Sequence, residues 1–141
     1  MLPVMKLINL WGIGVVAFTV LDVLWIGVVA SKLYHGQIGH LLNVIDGEMK
    51  VNVPAALATW VLIVGGIVLF VLPKTPTDGS LLHPLLWGAL YGFILYGVYD
   101  LTNYAVLKGW PLTVTLVDIA WGTFACAITA LVISISGRFV S

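Results

Sequence analysis

Apolar residues run along this chain in four long blocks: about 7–30, 53–72, 84–107 and 111–135. Each matches the ~20 residues that a helix needs to cross a bilayer. Polar punctuation separates them. Met1–Lys6 is a short polar start, Pro73–Ser80 (PKTPTDGS) reads as a turn, Lys108–Trp110 as a tight turn, and Ser136–Ser141 as a tail carrying Arg138. Asn52 followed by Pro54 reads as an N-cap with a first-turn proline for the second block. Gly12 and Gly14 lower the helix propensity of the first block without shortening it. The longest connection, Ser31–Val51, holds Lys32, Asp46, Glu48 and Lys50, yet Ile38, Leu41, Leu42 and Ile45 recur within it at helical spacing. That predicts a short amphipathic helix on the membrane surface; the alternative is a loop with one helical turn. The pattern as a whole predicts an all-α polytopic membrane protein. It forms one domain over 1–141, a four-transmembrane-helix bundle with a short amphipathic interfacial helix in the first loop.

Small residues suggest where helices approach closely. Ala55, Ala56, Ala58 and Thr59 open the second block, and Gly88 and Gly92 form a small-xxx-small pair in the third. Trp11, Trp87 and Trp110 fall near block ends and read as interfacial anchors.

Composition agrees with the pattern. Of 141 residues, 61% are hydrophobic and 9% charged, against about 25% charged in soluble domains. Net charge is zero, which argues against nucleic acid as a partner. Membrane lipids are the expected surroundings. The single cysteine, Cys126, excludes a disulfide framework or a cysteine-based metal site within one chain. No secretory signal peptide is read, because the first block is too long for a signal h-region and carries Asp22. Four spans place both termini on one side with Lys6, Lys74 and Arg138; Lys32, Lys50 and Lys108 fall on the other. The basic count is tied, so the positive-inside rule gives no orientation. Either other features fix the topology, or copies insert both ways and pair antiparallel.

Three acids interrupt the apolar blocks: Asp22, Asp100 and Asp118. A carboxylate at the bilayer centre costs roughly 2.5–3.5 kcal/mol on insertion scales, so each is a functional-site hypothesis. At ~1.5 Å per residue, Asp22 lies ~15 Å below Lys32, Asp100 ~12 Å below Lys108, and Asp118 ~12 Å below Trp110. All three therefore share one level, in the half of the bilayer nearer the Ser31–Val51 loop. No basic residue falls at that depth, so at least one acid holds a proton or a cation is bound.

The first and fourth blocks repeat a pattern, Asp22-x-x-Trp25 and Asp118-x-x-Trp121. Residues three apart share a helix face. On antiparallel helices the two patterns are reciprocal, which predicts crossed hydrogen bonds from each indole to the other helix's carboxylate. Asp100 stands apart, with Tyr96, Asn103 and Tyr104 on its face. Thr19 and Thr115 each precede an Asp by three residues. Together these suggest a small wet pocket open toward the first loop. His35 and His40 lie in that loop, where histidines are more often solvated than metal-bound, and no metal site is predicted. No nucleotide, flavin or haem signature is present, so no cofactor is expected.

Asp22-x-x-Trp25-x-Gly27, Tyr99-Asp100-Leu101-Thr102-Asn103 and Asp118-x-x-Trp121-Gly122 together resemble a family of small bacterial membrane proteins, domain of unknown function 2177. The resemblance covers nearly the whole chain and implies a four-span, multi-pass protein of the bacterial inner (cytoplasmic) membrane. It implies no activity.

Acids beside aromatic faces stabilise positive charge. Three functions are open. The chain is a transporter or channel that binds a proton, metal cation or organic amine, with Asp100 as coupling acid and Asp118 and Asp22 as partners. So small a fold would need a homodimer to build a path. Alternatively it is a membrane-embedded acid–base enzyme (isomerase, cyclase or hydrolase) on a lipophilic substrate, with Trp25, Trp121 and Tyr96 shielding a cationic transition state. Thirdly, it is an assembly subunit whose acids only glue helices. Polar density confined to one half, above a dry half of Val64, Ile67, Leu90, Ile128 and Leu131, favours a one-sided pocket. No buried Ser–His or Cys–His pair offers a nucleophile.

Overall fold

The computed structural model describes residues 3–76 and 79–140. Four helices are long and apolar enough to cross a membrane: Val4–Val29, Val53–Lys74, Leu82–Val106 and Leu112–Ser136. We label the first long helix α1 (Val4–Leu24), continued by a π turn over Trp25–Val29. The loop helix α2 is Ser31–Ile38. Strands β1 (Val44–Ile45) and β2 (Glu48–Met49) form a hairpin. The remaining spans are α3 (Val53–Gly66, extended by a π turn over Ile67–Val71), α4 (Leu82–Val106) and α5 (Leu112–Ser136).

The local signals explain most boundaries. Asn52 caps α3 by accepting from the Ala55 amide at 3.2 Å, and Pro54 occupies the first turn, where a missing N–H costs nothing. The turn expected over Pro73–Ser80 begins as a 3-10 turn at Leu72–Lys74, while Thr77 and Asp78 lie outside the described residues. Met1 and Ser141, at the ends of the expected polar start and tail, do too.

The first loop differs from expectation in register. Its helix starts earlier, at Ser31, and ends at Ile38; Leu41 falls in a 3-10 turn, and Ile45 in β1. Asp46 and Gly47 both adopt positive φ (54° and 80°). That pair makes a tight hairpin turn, and it ends any helical continuation. The buried stripe is Ala30, Tyr34 and Ile38, packed on Val114 with Trp25 and Trp110 against it. Thus α2 folds back over one end of the bundle.

The main core gathers Leu10, Phe18, Val64, Ile67, Cys126 and Ile133 between α1, α3 and α5. The most extensive packing joins α4 to α5. Glycines allow it: a Cβ on Gly92 would lie 2.1 Å from the Gly122 carbonyl oxygen, and one on Gly88 would lie 2.7 Å from that of Cys126. The expected close approach at Ala55, Ala58 and Thr59 is not seen, since all three are exposed. Close contact on this helix comes lower, where a Cβ on Gly66 would lie 1.9 Å from the Tyr91 hydroxyl.

Candidate functional site

The three intramembrane acids gather at the end of the bundle that α2 covers, and each has a different environment. Asp22, on α1, is 8% exposed. Its Oδ1 accepts from the Trp121 indole at 3.1 Å and its Oδ2 from the Trp60 indole at 2.8 Å. One carboxylate thus ties α1 to both α5 and α3. The Trp121 half of the crossed pair is present as the spacing predicts.

The Trp25 half is not. Trp25 stacks on Trp121, with ring centroids 4.4 Å apart and planes within 2°. Its indole donates to the Tyr34 hydroxyl at 2.9 Å, and that hydroxyl donates to Asp118 Oδ1. A phenol from α2 is therefore inserted where a direct bond was expected. The π turn that begins at Trp25 alters the helix register there, and such turns recur at functional sites. Burial first, then the Asp118 carboxylate, pushes the Tyr34 phenol above its ordinary pKa, so it remains a donor at neutral pH.

Asp100 is fully buried, and neither carboxylate oxygen has a hydrogen-bond partner among the described residues. Its place follows from the α4–α5 register. Gly88 meets Ala127 and Ala130, Gly92 meets Gly122 and Cys126, and Tyr96 lies over Gly122. Each turn up α4 is matched by a turn down α5, so Asp100 comes opposite Thr115 and Asp118.

The remaining expected site residues divide. Tyr96 is half-buried, its ring filling the notch over Gly122 and packing on the main core. Thr115 is buried but committed locally: its hydroxyl accepts from the Trp110 indole at 3.1 Å and donates to the Pro111 carbonyl at 3.3 Å. Thr19 and Asn103 are half-buried, and neither side chain hydrogen-bonds to a described residue. Tyr104, at 49% exposed, stands outside the network. It lies about 40° further round the helix than Asp100, on the last turn of α4, where α5 no longer covers it. The expected opening toward the first loop is instead covered, since Tyr34 and Ile38 are buried there against Val114.

Two contributors were not foreseen. Trp60 sits seven residues into α3, ~10 Å deep, level with Asp22. The depth argument that aligned the acids reaches it as well. Tyr34 has a weaker signal, the i, i+4 stripe with Ala30 and Ile38. Of the expected interfacial anchors, Trp11 instead bonds the Val61 carbonyl at 3.1 Å and Trp110 turns inward to Thr115; Trp87 has Lys74 Nζ 6.0 Å from its ring. The His35 ring is held by the Ser31 carbonyl at 2.9 Å. Among the described residues no three His, Cys, Asp or Glu side chains converge as a metal site.

The sequence matches the family described as "Predicted membrane protein (DUF2177)" over residues 7–135. The chain belongs to this family. No curated protein and no solved structure matches it. Membership in DUF2177 agrees with the four spans and with a multi-pass membrane protein. The matched region contains all three acids, Tyr34 and the four tryptophans nearest them in sequence or space, Trp25, Trp60, Trp110 and Trp121.

Tyr34→Phe tests how the cap is fastened. It leaves the Trp25 indole without its acceptor and Asp118 without its donor. The expected cost is about 1–2 kcal/mol, with faster amide exchange confined to α2. Hydrogen–deuterium exchange in bilayer discs reads this directly, and unchanged protection over 33–38 would sink the idea.

Proposed function

We propose that this protein is an integral protein of the bacterial inner membrane that binds and exchanges a proton or small cation at the acid–aromatic cluster. Asp100 is the exchanging group, with Asp118 and Asp22 as its partners. One observation carries the reading: among the described residues Asp100 is fully buried with both oxygens unpartnered, whereas Asp22 has two donors and Asp118 has one. Burying a carboxylate with neither donor nor countercharge is costly, so the position favours a group that takes up a proton or holds a cation. Asp118, which the α4–α5 register sets opposite Asp100, is bonded through Tyr34 to Trp25, so the loop helix α2 reaches the acid cluster. Phe18, Val64 and Ile67 fill the other half, so a through-path calls for motion or a second copy.

The test is flux in liposomes. Wild-type protein should dissipate an imposed pH or cation gradient read by an entrapped dye. Asp100→Asn, which keeps shape and removes the ionisable group, should abolish flux while leaving the melting temperature in detergent close to wild type. Equal rates for the two proteins would overturn the assignment of Asp100.

The one-sided distribution of polar groups favours a second reading, an embedded acid–base enzyme on a lipophilic substrate. Comparing membrane lipids from cells expressing wild type or Asp100→Asn at matched levels separates the two. A mass shift seen only with wild type supports the enzyme; identical profiles with wild-type flux support transport.

A further inference from the structure

At the end of the bundle away from the three acids, a cavity of about 720 Å³ opens between the start of α1, the end of α3 and the end of α5. Its volume falls within the ~300–1,000 Å³ typical of small-molecule sites. Lys6 and Arg138 line it, with Leu10, Leu72 and Ser134. The Arg138 guanidinium donates from Nη2 to the Gly79 carbonyl at 2.9 Å. No carboxylate is among the described residues lining the cavity.

A second cavity, of about 260 Å³, adjoins the first and shares Leu7, Val68 and Leu69 with it. The lining of this one is wholly apolar, and it runs along the outer seam of α1 and α3 past Trp11 and Gly65. A Cβ on Gly65 would meet nothing closer than 3.8 Å, so the missing side chain leaves a trough. Ile8 and Leu69, which flank it, are 51% and 66% exposed. The trough therefore faces the hydrocarbon of the membrane.

Among the described residues, the joined shape has a cationic head lining and a hydrocarbon trough that opens sideways. A free inorganic anion would use only the first, and a neutral lipid only the second. We propose that this is a binding site for one anionic phospholipid, its phosphate between Lys6 and Arg138 and one acyl chain in the Leu7–Val68–Leu69 trough. Basic pockets between transmembrane helices hold acidic lipid headgroups in the same way. This site is independent of the acid cluster and of its function.

Bilayers of equal phosphatidylglycerol and phosphatidylcholine, followed by gentle extraction and native mass spectrometry of the retained lipid, test it. Each cation near an anionic headgroup contributes roughly fivefold, so wild type should retain phosphatidylglycerol over phosphatidylcholine by roughly thirtyfold. Lys6→Gln with Arg138→Gln should abolish the preference at an unchanged melting temperature in zwitterionic micelles. If that pair does not fold, Lys6→Gln alone should lose roughly fivefold. Gly65→Leu should lower retention of both lipids by filling the trough. Equal retention of the two lipids by wild type, an unaltered preference in the Gln variants, or displacement of the lipid by inorganic phosphate alone would each overturn the proposal.

Discussion

Asp22→Ala is expected to lower folding free energy by roughly 2–3 kcal/mol, because two indole N–H groups lose their acceptor together. Trp60 and Trp121 come from different helices, and Asp22 joins them. Removing it leaves two donors in apolar surroundings and takes away one polar tie from α1 to each partner, while the apolar core between them remains. Asp22→Asn should cost about half as much. Its amide keeps one acceptor oxygen but turns an NH2 group on the other indole. In a Trp60→Phe background the Ala substitution should cost less than in wild type, since one orphaned donor is already gone. Reversible unfolding in mixed micelles measures the wild type and all four variants. An Asp22→Ala chain as stable as wild type would show that the two indoles find other acceptors.

The same experiment separates two roles that three similar acids conceal. Asp22 has both oxygens occupied by donors from neighbouring helices, the signature of polar glue. Asp100 has neither oxygen occupied by a described residue. Substituting Asp22 should therefore act on stability first and flux second, with the reverse order at Asp100. Asp118 stands between them, with a single donor among the described residues, the Tyr34 hydroxyl of the loop helix α2.

Much of this arrangement is legible in the sequence because its rules are one-dimensional. Apolar run length locates the spans, and the fixed rise per residue places Asp22, Asp100 and Asp118 at one depth. The spacing Asp22-x-x-Trp25 and Asp118-x-x-Trp121 finds the Trp121–Asp22 bond. Reciprocity fails at Trp25 because it assumes two uniform helices. A π turn begins at Trp25, and a phenol from outside the spans enters between it and Asp118. Which face of a loop helix turns inward is set by tertiary packing, and no periodicity within the four spans encodes it. The hairpin was readable from Asp46-Gly47, but apolar spacing from Ile38 to Ile45 masked it, since short apolar runs suit either element. The two cavities are invisible in sequence, for the larger arises where the ends of three helices leave space and the smaller along the α1–α3 seam, and both are products of packing.

The largest packing effect is expected at Gly92. A methyl group there would sit 2.1 Å from the Gly122 carbonyl oxygen and 2.8 Å from the Cys126 Cβ. The first obstacle is backbone, which cannot rotate aside as a side chain can. Gly92→Ala must therefore push α4 and α5 apart along their most extensive contact. Overpacking of this kind costs about 1–3 kcal/mol, and Gly92→Val should reach or exceed the upper end. Gly12 supplies the control. A Cβ there meets nothing within 4 Å, so Gly12→Ala should be neutral or stabilising by up to ~1 kcal/mol through helix propensity. The same substitution thus takes opposite signs at two glycines eighty residues apart, and denaturant unfolding of the two variants decides it. Equal effects would mean that α4 and α5 are not in register as described. The site depends on that register, because the contacts at Gly88, Gly92 and Tyr96 are what bring Asp100 opposite Asp118. A Gly92→Ala chain that still folds should therefore lose flux more than its stability loss alone accounts for.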